Sequence, residues 1–401
     1  MLDHSELNES QRGIMEKCRL FANEVLRPQA ARYDKGEEVP WEVIRQAADA
    51  GIYTTDFFRE LALDPTGLSL VLAAEELAAG DAGLALAVTY PLLPLTAIYL
   101  AGTGEQQRTL IPSLLGTAED PKLVAFAASE PQAGSDVAGY ATTAHQDGES
   151  WVLRGVKRWA GNTGVASNYL VVANLDLELG SKGQAIFVVP DHAAGMWFGE
   201  KMSKLGLRAV QHADLHLDEV RLPLDSVLGG YEATIERLAR IRKGEKVGVQ
   251  PVMATFEVTR PYIAAMAVGV ARAAHEYVLR YAVEREAFGK TLVQHQQVAA
   301  MIADHRTRID AARLLVWRAS SIQARGELMS NGEGSQAKLF AAEVASLVTS
   351  ESIQLAGGVG FTDMTPLERM YRDAPIFGIF EGASPIQRLI IASRLTHQRI
   401  R

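Results

Sequence analysis

Apolar residues recur at helical spacing from the N-terminus to about residue 118. Ile14, Cys18, Phe21, Val25 and Leu26 fall on one face, with Ser10 placed to cap the segment. Pro28 and Pro40 interrupt the pattern, and residues 41–50 form a second amphipathic segment ending at Gly51. Residues 68–79 (LSLVLAAEELAA) are apolar nearly all round, the pattern of a helix buried on several sides, and Gly80, Asp81 and Gly83 are expected to break it. Residues 85–100 are apolar but interrupted by Pro91 and Pro94.

The texture changes at Pro121. Short β-rich runs, LVAFAAS, ESWVLRGVKRWA, NYLVVANL, AIFVVP and ADLHLDEVRLP, alternate with turn residues up to about residue 228. Asp147-Gly148 is a hairpin signal, and the spacing suits a compact β barrel or sandwich. From Tyr231 the helical period returns. Residues 260–285, 296–325 and 336–356 predict long helices whose apolar stripes are best buried in an antiparallel bundle. The expected fold is therefore α+β in three domains: an N-terminal helical domain (1–120), a middle β-barrel or sandwich domain (121–229) and a C-terminal four-helix bundle (230–401).

Composition narrows the function. The chain has 401 residues, 48% apolar and 22% charged, which is ordinary for a globular protein of more than one domain. A net charge of −8 argues against a nucleic-acid surface, whose mark is a concentrated basic face. The one cysteine, Cys18, excludes an intramolecular disulfide and a multi-cysteine metal site. MLDHSELNES carries no basic flank leading into an apolar signal core, and no apolar run is read as long enough to span a bilayer. The expectation is a cytoplasmic protein with no membrane span.

Several site types fall away on spacing. Gly289-Lys290-Thr291 imitates the end of a P-loop, but Glu284 stands where its first glycine is required. His212 and His216 sit four apart in a strand-like run, which is not the helical pair of a zinc site, so no metal is expected. Gly382-Ala383-Ser384 lacks the closing glycine of a nucleophile elbow, and Gly102-Thr103-Gly104 follows no strand. The remaining candidates are small-residue and polar clusters at the joints. SEPQAGSD (129–136) either cradles a phosphate or heteroaromatic ring or is a polar turn. Trp159, with Gly161 and Asn162, either stacks on a flat cofactor or closes the barrel. QLAGGVG (354–360) is either a helix C-cap or a place of close ligand approach. Glu381, set among Ile376, Phe377, Ile379, Phe380 and small residues, is either a base of raised pKa or a cap for the helix starting near Pro385.

In this order the blocks SEPQAGSDV, VKRWAGN, RPYIAAMAVGVA, EREAFGK, QLAGGVGF and MYRDAPIFGIFEGASPIQR resemble the acyl-CoA dehydrogenase family over nearly the whole chain. The resemblance implies a flavoenzyme that takes the α-proton of an acyl-CoA thioester and passes the β-hydrogen as hydride to FAD, yielding a trans-2-enoyl-CoA. An electron-transfer flavoprotein is the implied electron acceptor and a homotetramer the implied assembly. The family's catalytic glutamate falls on Glu381, in FEG where YEG is usual. The other position used for the base holds Thr259, which cannot serve. Ser129, Ser135, Trp159 and Gly161 match flavin and pyrophosphate contacts. Arg285, Phe288, Gln296, Gln354 and Gly358 match residues that hold the adenylate end of FAD across a subunit interface. Arg260 matches a CoA-contacting arginine, and Glu257 stands where an acidic residue often meets the adenine.

The chain also departs from the family's pattern. Gly161 replaces a Thr or Ser whose hydroxyl meets the flavin, Ala287 a small hydroxyl residue, and Ala383 and Pro385 a Thr and a helix former. Residues 231–256 form a longer, basic connection expected to cover the nucleotide end or reshape the mouth of the pocket. Gly161 keeps open a same-fold enzyme with altered flavin chemistry: a reductase, a lyase-type relative, or one acting on an unusual or cyclic acyl group. A non-catalytic binding protein is the third reading.

Overall fold

The computed structural model describes residues 7–247, 250–398 and 400, and the helical, β and helical blocks follow one another as the periodicities predict. The first helix, Glu9–Phe21, is capped by Asn8 and not by Ser10. Asn8 Oδ1 accepts the Gln11 N–H at 2.9 Å while Gln11 Oε1 accepts the Asn8 N–H at 3.0 Å. This reciprocal pair satisfies two open donors, which one serine does not. Helix Leu68–Gly80 is buried almost all round, as expected. Asp81 ends it and caps Ala82–Thr89 through Oδ1, which accepts the Leu84 N–H at 2.9 Å, whereas Gly83 lies inside that second helix.

One expectation needs correcting. Ala82–Ala101 is long and apolar enough to cross a membrane by length and composition alone. It folds as two helices, Ala82–Thr89 and Leu92–Ala101, broken at Tyr90-Pro91, and 67% of its most apolar stretch is buried inside the protein. Packing on several sides accounts for its composition.

The middle block is one mixed sheet of seven strands: β1 Val124–Ala127, β2 Thr143–Asp147, β3 Ser150–Lys157, β4 Asn168–Asn174, β5 Gln184–Pro190, β6 Met196–Phe198 and β7 Leu215–Pro223. The order is β1-β4-β2-β3-β7-β6, with β5 also on β4. The Asp147-Gly148 turn joins β2 to β3, Asp147 facing Ser150. β2 and β6 escape the sequence reading because one buries a single residue, Ala144, and the other is three residues long.

Helices Pro251–Glu284, Gln296–Ala324, Glu333–Ala356 and Ser384–Thr396 make the bundle. The first begins at Pro251, well before 260, because Gln250 caps it by accepting the Met253 N–H at 2.7 Å and proline suits the first turn. The basic connection forms helix Tyr231–Arg242, which packs on the β domain. Arg237 donates to the carbonyls of Lys182 (3.0 Å) and Gln184 (2.8 Å), Arg242 pairs with Asp176 at 2.7 Å and Arg240 with Glu245 at 2.8 Å. Arg237 and Arg242 thus tie the helix to the β domain, while the Arg240 pair stays within the connection. Gly248 and Val249 of the same connection lie outside the described residues.

Candidate active site

Glu381 sits in the left-handed region (φ 55°), followed by Gly382 at φ 93°. A non-glycine residue there is strained by roughly 1–3 kcal/mol and persists only where the surroundings fix it. Three donors fix this turn. Lys338 Nζ donates to the Gly382 carbonyl at 2.6 Å, Gln387 Nε2 to the same oxygen at 2.9 Å, and Thr259 Oγ1 to Glu381 Oε2 at 2.8 Å. Helix Ser384–Thr396 receives no side-chain cap, so the capping alternative for Glu381 is set aside. Gly382 is required twice: its φ is positive, and a Cβ there would overlap Gln387 Nε2. Gly382→Ala is expected to destabilise the fold by roughly 1–3 kcal/mol and, by displacing the neighbouring carboxylate, to lower kcat more than acyl-CoA affinity. A thermal melt paired with steady-state kinetics checks this.

The electrostatics of the turn favour a base. Although Glu381 as a residue is only half-buried, its carboxyl is shielded from water, and burial pushes its pKa up to about 7. The Thr259 hydroxyl and the charges of Arg260 and Lys338 restrain that rise. Lys338 is 1% exposed, and its own burial brings its ammonium down to about 8. Arg260, matched by resemblance to a CoA contact, is 6% exposed, and its Nε has no hydrogen-bond partner among the described residues. Glu257 lies one turn earlier, near Arg394 at 3.7 Å.

A second cluster comes from the β domain. Glu130 and Lys157 form an ion pair of 2.7 Å that is almost wholly buried. Lys157 Nζ also donates to the Ala128 carbonyl at 2.9 Å, and Glu130 accepts the N–H groups of Ala141 (2.6 Å) and Thr142 (2.9 Å). Burial opposes the Glu130 carboxylate, but Lys157 and these hydrogen bonds prevail and hold its pKa below the ordinary range. The pair ties the turn after β1, with Ser129 and Ser135, to the end of β3, with Trp159 and Gly161. The Arg158 N–H donates to the Ser129 carbonyl at 2.9 Å, closing the same junction. Tyr140 belongs to the same junction, its hydroxyl donating to the Gly134 carbonyl at 3.4 Å, and its phenol is raised by burial first and to a smaller extent by nearby carboxylates, Glu381 among them. The Gly161 N–H donates to the Tyr90 hydroxyl at 3.0 Å. Sequence reasoning missed Lys338, Lys157, Glu130 and Tyr90 as site-building residues.

Whether FAD suits these residues can be judged from the surfaces they present. Trp159 holds φ 70° and is 59% exposed, and Phe288 is 96% exposed. Among the described residues, and their own chain neighbours apart, nothing stands within 4 Å of where a Cβ would sit on Gly134, Gly357 or Gly358. Exposed aromatic rings, open glycines and the hydroxyls of Ser129 and Ser135 are the groups that a flat, phosphate-bearing cofactor needs, so the donor set fits. Arg285, Phe288 and Gln296 lie exposed around the turn after helix Pro251–Glu284, and Gln354 and Gly358 lie exposed at the end of helix Glu333–Ala356. The up-down-up order of the three long helices puts both groups at one end of the bundle, opposite Thr259, Lys338 and Glu381. From Thr259 to the end of its helix at Glu284 the axial rise is roughly 37 Å.

The chain is similar to known proteins along nearly its full length. Family models match in order: acyl-CoA dehydrogenase N-terminal domain at residues 8–117, middle domain at 125–220 and C-terminal domain at 246–396. The mitochondrial short-chain specific acyl-CoA dehydrogenase of Bos taurus is 36% identical, the match covering 97% of this chain and 91% of that protein. Among solved structures, butyryl-CoA dehydrogenase from Megasphaera elsdenii superposes with a TM-score of 0.86 at 30% identity, covering 98% of this chain and 99% of the other. A glutaryl-CoA dehydrogenase from Mycobacterium smegmatis in complex with FADH2 gives a TM-score of 0.86 at 26% identity, covering 100% and 97%. With three domain models matched in sequence order and relatives aligned end to end, this chain belongs to the acyl-CoA dehydrogenase family and is an oxidoreductase of that kind.

Proposed function

We propose that the protein oxidises an acyl-CoA thioester to the trans-2-enoyl-CoA, with Glu381 as the base that takes the α-proton. The observation that carries this is the Glu381 carboxyl, shielded from water and raised to about 7, held in a fixed turn by Lys338, Gln387 and Thr259. A base poised near neutrality matches the abstraction of a weakly acidic proton. The backbone N–H of Glu381 donates to the thioester carbonyl oxygen as negative charge gathers there, where losing one such donor costs roughly 3–4 kcal/mol of barrier. Ser129, Ser135, Trp159 and Gly161 orient the flavin, and Glu257 and Arg260 face the CoA end. FAD held by these residues would supply the hydride acceptor for the β-hydrogen, with an electron-transfer flavoprotein as the proposed acceptor of the electrons. The long axial separation between Glu381 and the set Arg285, Phe288, Gln296, Gln354 and Gly358 supports their serving the cofactor of a neighbouring copy, in a homotetramer.

The pH profile tests this reading. Only the carboxylate of Glu381 is a base, so flavin reduction by substrate is expected to fall as pH drops through about 7 and to level off above it. Thr259→Val removes a donor that stabilises the carboxylate, so the acidic limb moves to higher pH. A hydrogen bond to a charged group stabilises it by roughly 1.5–3 kcal/mol. The Thr259 hydroxyl also reaches the carbonyls of Thr255 and Phe256, so a displacement of roughly 1 pH unit is expected. An unmoved limb would show that another group limits the rate.

A further inference from the structure

Gly161 and Tyr90 form a pair that the proposed reaction does not by itself explain. A side chain at 161 has no room: its Cβ would overlap Tyr90 Cε2 and stand 2.9 Å from Tyr90 Cζ and 3.0 Å from Val210 Cγ1. Tyr90 lies at the break between helices Ala82–Thr89 and Leu92–Ala101, which turns its ring off the helix face and into the junction with the β domain. Its hydroxyl accepts the Gly161 N–H at 3.0 Å. The phenol's pKa is raised, by burial first and also by the nearby Glu381 charge. Beside it the hydroxyls of Thr89 and Tyr262 bond each other, and Tyr262 senses Glu381 as well. Tyr90 therefore adjoins residue 161, and its neighbour Thr89 bonds Tyr262, which lies one helical turn from Thr259, the residue that hydrogen-bonds Glu381.

We propose that Tyr90, seated in the space that Gly161 leaves free, closes the acyl compartment between residue 161 and Glu381 and restricts the substrate to a short acyl group. The inference rests on the dehydrogenation proposed above, in which the reacting Cα–Cβ bond lies between Glu381 and the flavin-facing strip at Gly161. Carbons beyond Cβ then meet the Tyr90 ring. The ring does not swing aside freely, because that leaves the buried Gly161 N–H without its acceptor. The absence of a side chain at 161 and the presence of a ring at 90 are thus two halves of one exchange of volume.

Binding in a Glu381→Gln background tests this apart from turnover. Calorimetry with butyryl-CoA, octanoyl-CoA and dodecanoyl-CoA is expected to show the Tyr90-containing FAD-loaded protein binding butyryl-CoA at least about tenfold tighter than octanoyl-CoA, the discrimination a closed apolar pocket can supply. Tyr90→Ala erases or reverses that ratio, while Tyr90→Phe, which keeps the ring but removes the acceptor that holds it against Gly161, retains only part of it. Tyr90→Leu serves should the alanine variant not fold. Gly161→Ser alone is expected to lose bound flavin, and Gly161→Ser with Tyr90→Ala to regain it. Equal affinities along the series, or a ratio unmoved by Tyr90→Ala and Tyr90→Leu, overturn the role of Tyr90. With Glu381 intact, reduction of the flavin by butyryl-CoA in that case leaves the dehydrogenation standing. Failure of every acyl-CoA to reduce the flavin removes both.

Discussion

Glu381→Gln is expected to yield a folded protein that still binds FAD and acyl-CoA but reduces its flavin about 10³–10⁴-fold more slowly, near the upper end of what a positioned general base contributes. Glutamine keeps the size and the acceptor oxygen for the Thr259 hydroxyl, so the turn at 381 and 382 is retained. It cannot take the α-proton at any accessible pH. The slow residual rate should also lose the acidic limb that wild type shows near pH 7. Rapid mixing under anaerobic conditions measures both. A variant that keeps its rate and its pH limb would move the base to another residue.

The second large effect concerns stability. Lys157→Met leaves Glu130 charged and almost fully buried with no cation beside it, and breaking such a pair costs about 3–5 kcal/mol. The loss falls on the joint that holds Ser129 to Trp159, so bound FAD should decline along with the denaturation midpoint. Adding Glu130→Gln to the same chain removes the uncompensated charge but keeps an acceptor for only one of the Ala141 and Thr142 N–H groups, which bond different carboxylate oxygens, so only part of the loss should return. Chemical denaturation followed by fluorescence, with flavin content measured on the same samples, checks the pair. If Lys157→Met matched wild type in both readouts, the ion pair would have no structural role.

The sequence was most legible where period and local chemistry agree. The three blocks follow directly from the change of hydrophobic period, and the Asp147-Gly148 hairpin from its turn residues. Glu381 stood out because one acid lies within an apolar, small-residue run. Less legible were partners brought together by folding. Tyr90 reads as a residue before a proline, yet it closes on Gly161 71 positions later. Thr259, set aside as unable to act as a base, turns out to hydrogen-bond the carboxylate that does fit the role. Lys338 carries no signal in the sequence that sets it apart, yet it is buried and holds the Gly382 carbonyl. Ser10 lost the cap to Asn8 because a reciprocal pair with Gln11 satisfies more backbone. The apolar stretch 85–100 reads as interrupted by its prolines, and the fold does break it at Tyr90-Pro91, but the full uncharged run Ala82–Ala101 is longer than that reading allows.

The central claim is that a carboxylate sheltered beside a bound flavin deprotonates the carbon next to a thioester. Its most direct test is anaerobic addition of butyryl-CoA to the purified flavin-loaded protein, with flavin colour and acyl products followed together. Bleaching of the flavin with formation of an equivalent amount of trans-2-enoyl-CoA in wild type, and neither in Glu381→Gln, is the predicted result. A flavin that stays oxidised with every acyl-CoA supplied, or bleaches equally well in Glu381→Gln, would contradict it.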